Sequence, residues 1–240
     1  MALTVACWNM AHWSHQQHTE RAWDYLDSAV CADISLVQEA VPPTARQGDE
    51  CVWQEIRGTR RWGSGVLTRG FPVSAVTLQR HDYPGALTVA EVTLPDRSTL
   101  IAISLYGQMD EHGYAITTLH RMLSDLTHLL EGKLLPGRRP RVVLGGDFNA
   151  SPQCDDRYHT KTHRVFFDRL HAFGMRDCQG VFTDHRRRTL RHAKSPVPWV
   201  NDYIYASESL TRSVIAHRVL EDPEVLALSD HNPVVVTFDL

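Results

Sequence analysis

The chain is divided into short runs of aliphatic and β-branched residues, each halted by a polar, glycine or proline residue before it could become a long helix. In order they are "LTVACW", "ISLVQEA" (stopped by "VPP"), "CVWQEI", "SGVLTR", "PVSAVTLQ", "ALTVAEVTL", "TLIAISLY", "RVVLGG", "DYIYAS", "SVIAH" and "NPVVVTFDL". Runs of this length and composition are strands, and "LPDRST" between two of them is a hairpin turn. Helical spacing occurs in fewer places. From Gly113 to about Glu131, Ile116, Leu119, Met122, Leu123, Leu126 and Leu130 fall on one face before "GKLLPGRRP" ends the pattern, and "ERAWDYLDSAV" and "THRVFFDRLHAFG" are the other two helices. No linker, repeat or break in composition divides the chain. A single domain over residues 1–240 is expected, in which helices cover the outer faces of two stacked sheets.

The 240 residues are 42% hydrophobic, enough to bury a large core, and the formal charge of −3 gives the whole molecule no attraction for a polyanion. A site for nucleic acid or phospholipid must therefore be local. Cys7, Cys31, Cys51, Cys154 and Cys178 are odd in number and have no CxxC spacing. That argues against a disulfide framework or a thiolate zinc site and points to a reducing cytoplasm. The first ten residues lack the form of a signal peptide and no run is long enough to span a bilayer, so no stable membrane association is expected.

Acids, amides and one histidine recur where apolar runs stop. Asn9 follows "VACW", Glu39 follows "ISLVQ", Tyr106 follows "IAISL", and Asp147 and Asn149 follow "VVLGG". Asp202 precedes "YIYAS", and Asp230 and His231 precede "NPVVV". Taken singly, each has an ordinary explanation: Asp and Asn make turns, and the serine or aspartate of "SDHNP" can cap the start of a strand. Taken together, they can be gathered on one rim of a sheet, where chemistry usually sits.

The succession "CWNM", "VQEA", "SLYGQ", "GGDFNASP", "NDYIYAS" and "LSDHNPV" resembles the endonuclease/exonuclease/phosphatase superfamily over nearly the entire chain. The resemblance implies a four-layer α-β-β-α sandwich of two mixed sheets, like deoxyribonuclease I, and hydrolysis of phosphate esters. Hydrolysis of an anionic phosphodiester needs charge neutralisation, a nucleophile from water and a stabilised leaving oxygen. Oxygen-rich ligands suit Mg²⁺ or Mn²⁺. By the resemblance, Glu39 contacts the metal with Asn9 beside it, and Asp230 holds metal-bound water or the histidine. Asp147 orients or deprotonates the attacking water and Asn149 positions Asp147 and the phosphate. His231 contacts a phosphate oxygen or exchanges a proton, Asp202 fixes its tautomer and charge, and Tyr106 contacts the phosphate or leaving group. Asp147 and His231 both remain open as the base.

Residues 184–199, "DHRRRTLRHAKSPVPW", lead into Asp202. Arg186, Arg187, Arg188 and Arg191 there form either a solvated loop or a phosphate-facing arm. Trp199 stands where abasic-site enzymes of the superfamily carry a tryptophan in the sugar pocket, and could stack on a base or sugar. Asn201 departs from their apolar residue and speaks against that particular activity. "HWSHQQH" spaces His12, His15 and His18 three apart, which matches no zinc motif. It is expected to be a polar loop and first helical turn beside the cleft, since it follows Asn9 directly. The leading expectation is a nuclease acting on nucleic acid. The alternatives are a phosphoesterase for a small phosphoester or phospholipid head group, and a non-catalytic module on the same fold. Protein partners are unknown.

Overall fold

The computed structural model describes residues 1–58, 61–131, 140–182, 187–192 and 194–240. Twelve strands are found among them: β1 Ala2–Asn9, β2 Ile34–Ala40, β3 Cys51–Glu55, β4 Gly63–Thr68, β5 Val73–Ala75, β6 Leu87–Thr93, β7 Thr99–Leu105, β8 Val142–Asp147, β9 Met175–Asp177, β10 Asp202–Ser207, β11 Val214–Val219 and β12 Val234–Asp239. They form two mixed six-stranded sheets, ordered β11-β12-β1-β2-β4-β3 and β5-β6-β7-β8-β10-β9. The helices are α1 Thr19–Tyr25, α2 Ala115–Asp125, α3 Thr127–Leu130, α4 Pro152–Tyr158, α5 Thr162–Ala172, α6 Glu208–Thr211 and α7 Pro223–Leu228.

Three apolar clusters fix the layers. Leu3, Val5, Ile34 and Leu36 of the first sheet meet Val92, Leu100, Ala102 and Val143 of the second, so this cluster lies between the sheets. The outer face of the second sheet packs Ile103 and Leu144 against Leu119, Met122 and Leu123 of α2 and Phe166 and Leu170 of α5. The outer face of the first sheet packs Trp8 and Val37 against Trp23 of α1 and Val225 of α7. The four-layer sandwich implied by the family resemblance, and the two stacked sheets with outer helices expected from the strand-rich sequence, are thus the observed fold. Burial on this scale is the dominant favourable contribution to folding.

Local departures from expectation have local causes. The long helix starts at Ala115 rather than Gly113, because Asp110 Oδ1 accepts the N–H groups of His112 and Tyr114 (both 2.9 Å) and holds a turn there. It is also interrupted at Leu126, after which α3 continues for one turn. The "PVSAVTLQ" run pairs only over Val73–Ala75.

Topology gathers the polar residues. β1 runs parallel to β2, and β7 runs parallel to β8, so their carboxyl ends share one rim. β10 is antiparallel to β8 with Asp202 opposite Asp147, and β12 is antiparallel to β1 with Val234 opposite Cys7. The start of β10 and the loop before β12 therefore reach the same rim. Gly146 makes the approach possible: at φ +147°, a Cβ there would lie 1.9 Å from the Leu105 carbonyl oxygen and 2.9 Å from Gln38 Nε2. Gly146→Ala should therefore lower stability by about 3 kcal/mol or more. Thermal unfolding followed by circular dichroism should show a Tm fall of roughly 6–12 °C, and an unchanged Tm would disprove the close packing at this strand.

Candidate active site

The amide of Asn9 links the two sheets at the rim. Its Oδ1 accepts the Ala11 N–H at 3.0 Å, which turns Nδ2 toward two acids: Glu39 Oε1 at 3.2 Å and Asp147 Oδ2 at 3.0 Å. The other oxygen of Asp147 accepts the Asn149 backbone N–H at 2.8 Å. His231 follows on the far side of Asp147, with Nε2 3.8 Å from Asp147 Oδ2 and Nδ1 donating to Asp202 at 2.9 and 3.1 Å. Tyr106 closes the group, its phenol facing Glu39 and Asn149. Seven of the residues singled out by sequence are thus brought together: Asn9, Glu39, Tyr106, Asp147, Asn149, Asp202 and His231.

Backbone geometry aims two of them. β2 and β4 shift register between Val37 and Ala40, and within that irregularity Glu39 adopts φ +47°. Asn149 has the same φ of +47° just beyond β8. Left-handed conformations at residues other than glycine are strained and persist where the surrounding contacts enforce them. Phe148 supplies part of that enforcement: its ring stacks on Tyr203 at 5.0 Å and meets Phe166 edge-on at 5.7 Å.

Glu39, Asp147 and Asp202 are 6%, 1% and 2% exposed, and the histidine between them is 5% exposed. Burial pushes the Glu39 carboxyl up from its ordinary value, opposed by His231 and by the Asn9 amide. Burial likewise raises Asp147, to about 7, with His231 pulling the other way. For His231, burial disfavours the cation, but Asp202 and then Asp147 outweigh it and raise the imidazole to about 10. Burial first, then the Glu39 and Asp147 charges, push the Tyr106 phenol far above its usual range. Three buried carboxylates face one imidazolium, an imbalance that a divalent cation with oxygen ligands would relieve. The donor set fits such an ion.

Of the expected trio of Glu39, Asn9 and Asp230, the first two lie together beside Asp147. Among the described residues, the group whose ligand atoms lie within 4.8 Å of one another is Asp147, Asp202 and His231. Asp230 is exposed, and its carbonyl accepts the Arg191 N–H at 2.8 Å. The residue that holds His231 is Ser229: its Oγ accepts the His231 N–H at 3.0 Å and donates to the Asn9 carbonyl at 2.8 Å. Thr189, also missed, accepts the N–H groups of Asn201 and Asp202 at 3.0 Å each and sets the start of β10. The serine two residues before His231 was a visible signal; Thr189, distant in sequence, gave none.

The arginine loop is only partly available to a substrate. Arg191 donates to the Asn232 side chain and, at 3.0 Å, to the Ser229 carbonyl. It braces the histidine loop in place of the substrate contact expected of it. Arg187 is exposed and 3.9 Å from Glu221, and Arg188 is exposed and accepts the Asn232 amide through its carbonyl at 2.9 Å. Arg186 lies outside the described residues. Trp199 is half-buried, with its indole N–H donating to Ser195 Oγ at 3.0 Å and the Arg157 guanidinium 5.9 Å from its ring centre.

A sequence profile described as the Endonuclease/Exonuclease/phosphatase family matches residues 7–231. Solved structures repeat the fold. An AP endonuclease from Archaeoglobus fulgidus is similar at 18% identity and a TM-score of 0.72, covering 99% of this chain and 100% of its own. The AP endonuclease LMAP from Leishmania major has 15% identity and a TM-score of 0.76, covering 100% of this chain and 88% of its own. A 3′ phosphatase from Neisseria, bound to a product DNA hairpin, has 19% identity and a TM-score of 0.70, covering 99% of this chain and 100% of its own. A search of curated protein sequences finds no match. No helix among the described residues is long and apolar enough to cross a membrane.

Proposed function

Since the chain belongs to the endonuclease/exonuclease/phosphatase family, we propose that it is a single-domain, Mg²⁺- or Mn²⁺-dependent phosphodiesterase that cleaves nucleic acid. The observation that carries this reading is the continuous buried chain of contacts from Glu39 through Asn9, Asp147 and His231 to Asp202. Glu39 and Asn9 would hold the cation with help from Asp147. A bound divalent ion supplies charge neutralisation to the phosphoryl oxygens. Asp147, raised toward neutrality by burial, takes a proton from water and is kept in place by the Asn9 amide and the Asn149 N–H. His231 presents a protonated Nε2 beside Asp147, suited to a non-bridging phosphate oxygen, while Asp202 fixes Nδ1 as the other donor. Tyr106 lends its phenol to the phosphate or the leaving oxygen. Nucleic acid is favoured as substrate by Trp199 at the site's edge, by exposed Arg187 and Arg188, and by the activities named for the similar structures. The five cysteines are all free, which supports a reducing cytoplasm.

The test is cleavage of supercoiled plasmid, single-stranded DNA, RNA and an abasic-site duplex with Mg²⁺ or Mn²⁺. Wild type should cut at least one, and EDTA should abolish the cut. Folded protein that cuts none but hydrolyses small phosphoesters or lipid head groups would move the assignment to those substrates. Glu39→Gln should weaken Mn²⁺ binding, measured by calorimetry, by at least about 10-fold. Unchanged affinity would remove Glu39 from the cation site.

A further inference from the structure

The Asp202 and His231 pair joins two sheets, and each member stands at the end of its own ladder. β9 pairs with β10 only from Tyr205 to Ser207, which leaves Asp202 and Asn201 beyond its reach. The ladder between β1 and β12 begins at Val234, three residues after His231. Holding Nδ1 and a carboxylate oxygen at 2.9 Å across such a gap calls for a third piece of chain. Residues 189–191 supply it. Leu190 forms an antiparallel bridge to Trp199 on one side and to His231 on the other. The Thr189 and Leu190 N–H groups both donate to the Trp199 carbonyl, at 2.9 and 3.1 Å. In the other direction the Thr189 carbonyl accepts the Asn232 N–H at 2.7 Å, and the Arg191 N–H donates to the Asp230 carbonyl at 2.8 Å. The segment is a backbone wedge between the chain entering β10 and the loop that carries the histidine.

One side chain of the wedge acts on Asp202. Thr189 is 1% exposed, and its Oγ1 accepts the N–H groups of both Asn201 and Asp202 at 3.0 Å each. A hydroxyl oxygen has two lone pairs, so one atom satisfies both donors. β8 holds one edge of β10, and Thr189 holds the start of that strand from the other side. His231 is anchored independently: Ser229 Oγ accepts its N–H and the Trp8 indole donates to its carbonyl, both at 3.0 Å. With the histidine tied down, its distance to Asp202 depends on where Thr189 sets the beginning of β10. Valine has the shape of threonine without the acceptor. At position 189 it would leave two N–H groups unpaired, a cost large enough for the chain to shift toward other acceptors. The main-chain bonds of the wedge would survive that exchange, so the disturbance would fall on Asp202.

We propose that Thr189 is a positioning residue for the reaction: its hydroxyl sets the start of β10 so that the Asp202 carboxylate meets His231 Nδ1 and Nε2 is presented toward Asp147. The inference rests on the phosphodiesterase reading for its effect on rate. It gives the arginine-rich segment a role apart from charge, because the middle of that segment holds Asp202 and His231 in register.

The experiment compares Thr189→Val and Thr189→Ala, which lack the hydroxyl, with Thr189→Ser, which keeps it. The first readout is kcat and KM on whichever of the four nucleic-acid substrates wild type cleaves best. Both hydroxyl-free variants should lose about 10- to 100-fold in kcat, with KM changed by less than about 2-fold. Thr189→Ser should recover most of the loss. The second readout needs no turnover: the His231 Nδ1–H proton, followed by NMR of protein with isotope-labelled histidine in EDTA and assigned by its absence from His231→Gln. Its exchange with water should be at least about 10-fold faster in the hydroxyl-free variants than in wild type or Thr189→Ser. Wild-type kcat or wild-type exchange in Thr189→Val and Thr189→Ala overturns the positioning role and leaves the phosphodiesterase reading standing. So does a Thr189→Ser as impaired as Thr189→Val. Wild type that cleaves no phosphoester overturns that reading alone, and the exchange rates then decide the positioning role.

Discussion

Asp147→Asn should reduce turnover at saturating Mg²⁺ by at least about 10³-fold while leaving the protein folded. The expected rate loss combines two effects of the proposed mechanism: the group that would take the proton is gone, and a carboxylate next to the proposed cation site has become neutral. Stability should change by less than about 1 kcal/mol, because two opposing consequences meet at this side chain. Neutralising a fully buried acid between Asp202 and Glu39 relieves repulsion and desolvation. Against that, an amide nitrogen in place of Oδ2 would face the Asn9 amide, and in place of Oδ1 the Asn149 N–H, so one present hydrogen bond is lost either way. Single-turnover rates and urea unfolding in EDTA measure the two quantities separately. A variant that turns over at the wild-type rate would take Asp147 out of the mechanism.

The sequence made the strand framework legible because short aliphatic runs closed by turns have few other ways to fold, and the acids and amides at their ends were read at the same time. Tyr106, Asp147 and Asp202 stood out as polar residues at strand ends, and the family resemblance supplied their roles. Other features depend on tertiary contacts that leave no local mark. The left-handed backbone of Glu39 arises from a register shift against β4, and the inward turn of Arg191 from partners 38 and 41 residues away. α4 and α7 are a different case. Each opens with a capping residue followed by proline, Ser151-Pro152 and Asp222-Pro223, a start signal present in the sequence. They are too short for apolar periodicity to reveal. Asp230 shows the limit of reading by position: it adjoins His231 in sequence, yet Ser229 is the residue that holds the histidine backbone.

His231→Gln should abolish activity to a similar degree and, unlike Asp147→Asn, should also destabilise the fold. The imidazolium is the buried cation between Asp202 and Asp147, and removing one partner of a buried ionic group costs about 3–5 kcal/mol. The sign of the pH dependence follows from the raised value. A histidine near 6.5 when unfolded and about 10 when folded contributes its full stabilisation below pH 6.5 and loses it as pH climbs to 10. The stability gap between wild type and His231→Gln, measured in EDTA, should therefore be widest at pH 6 and shrink steadily toward pH 10. Asp147 has the opposite sign. Its carboxyl is raised to about 7, so its ionisation burdens the fold fully above pH 7, and that burden disappears as pH falls to 4. The proposed mechanism needs Asp147 ionised and His231 protonated and therefore predicts a bell-shaped profile whose acid limb moves lower when the cation binds. Asp202→Asn removes the strongest attraction on His231 and should draw the alkaline limb toward neutral pH. An alkaline limb that stays fixed in Asp202→Asn would mean that a group other than His231 controls it.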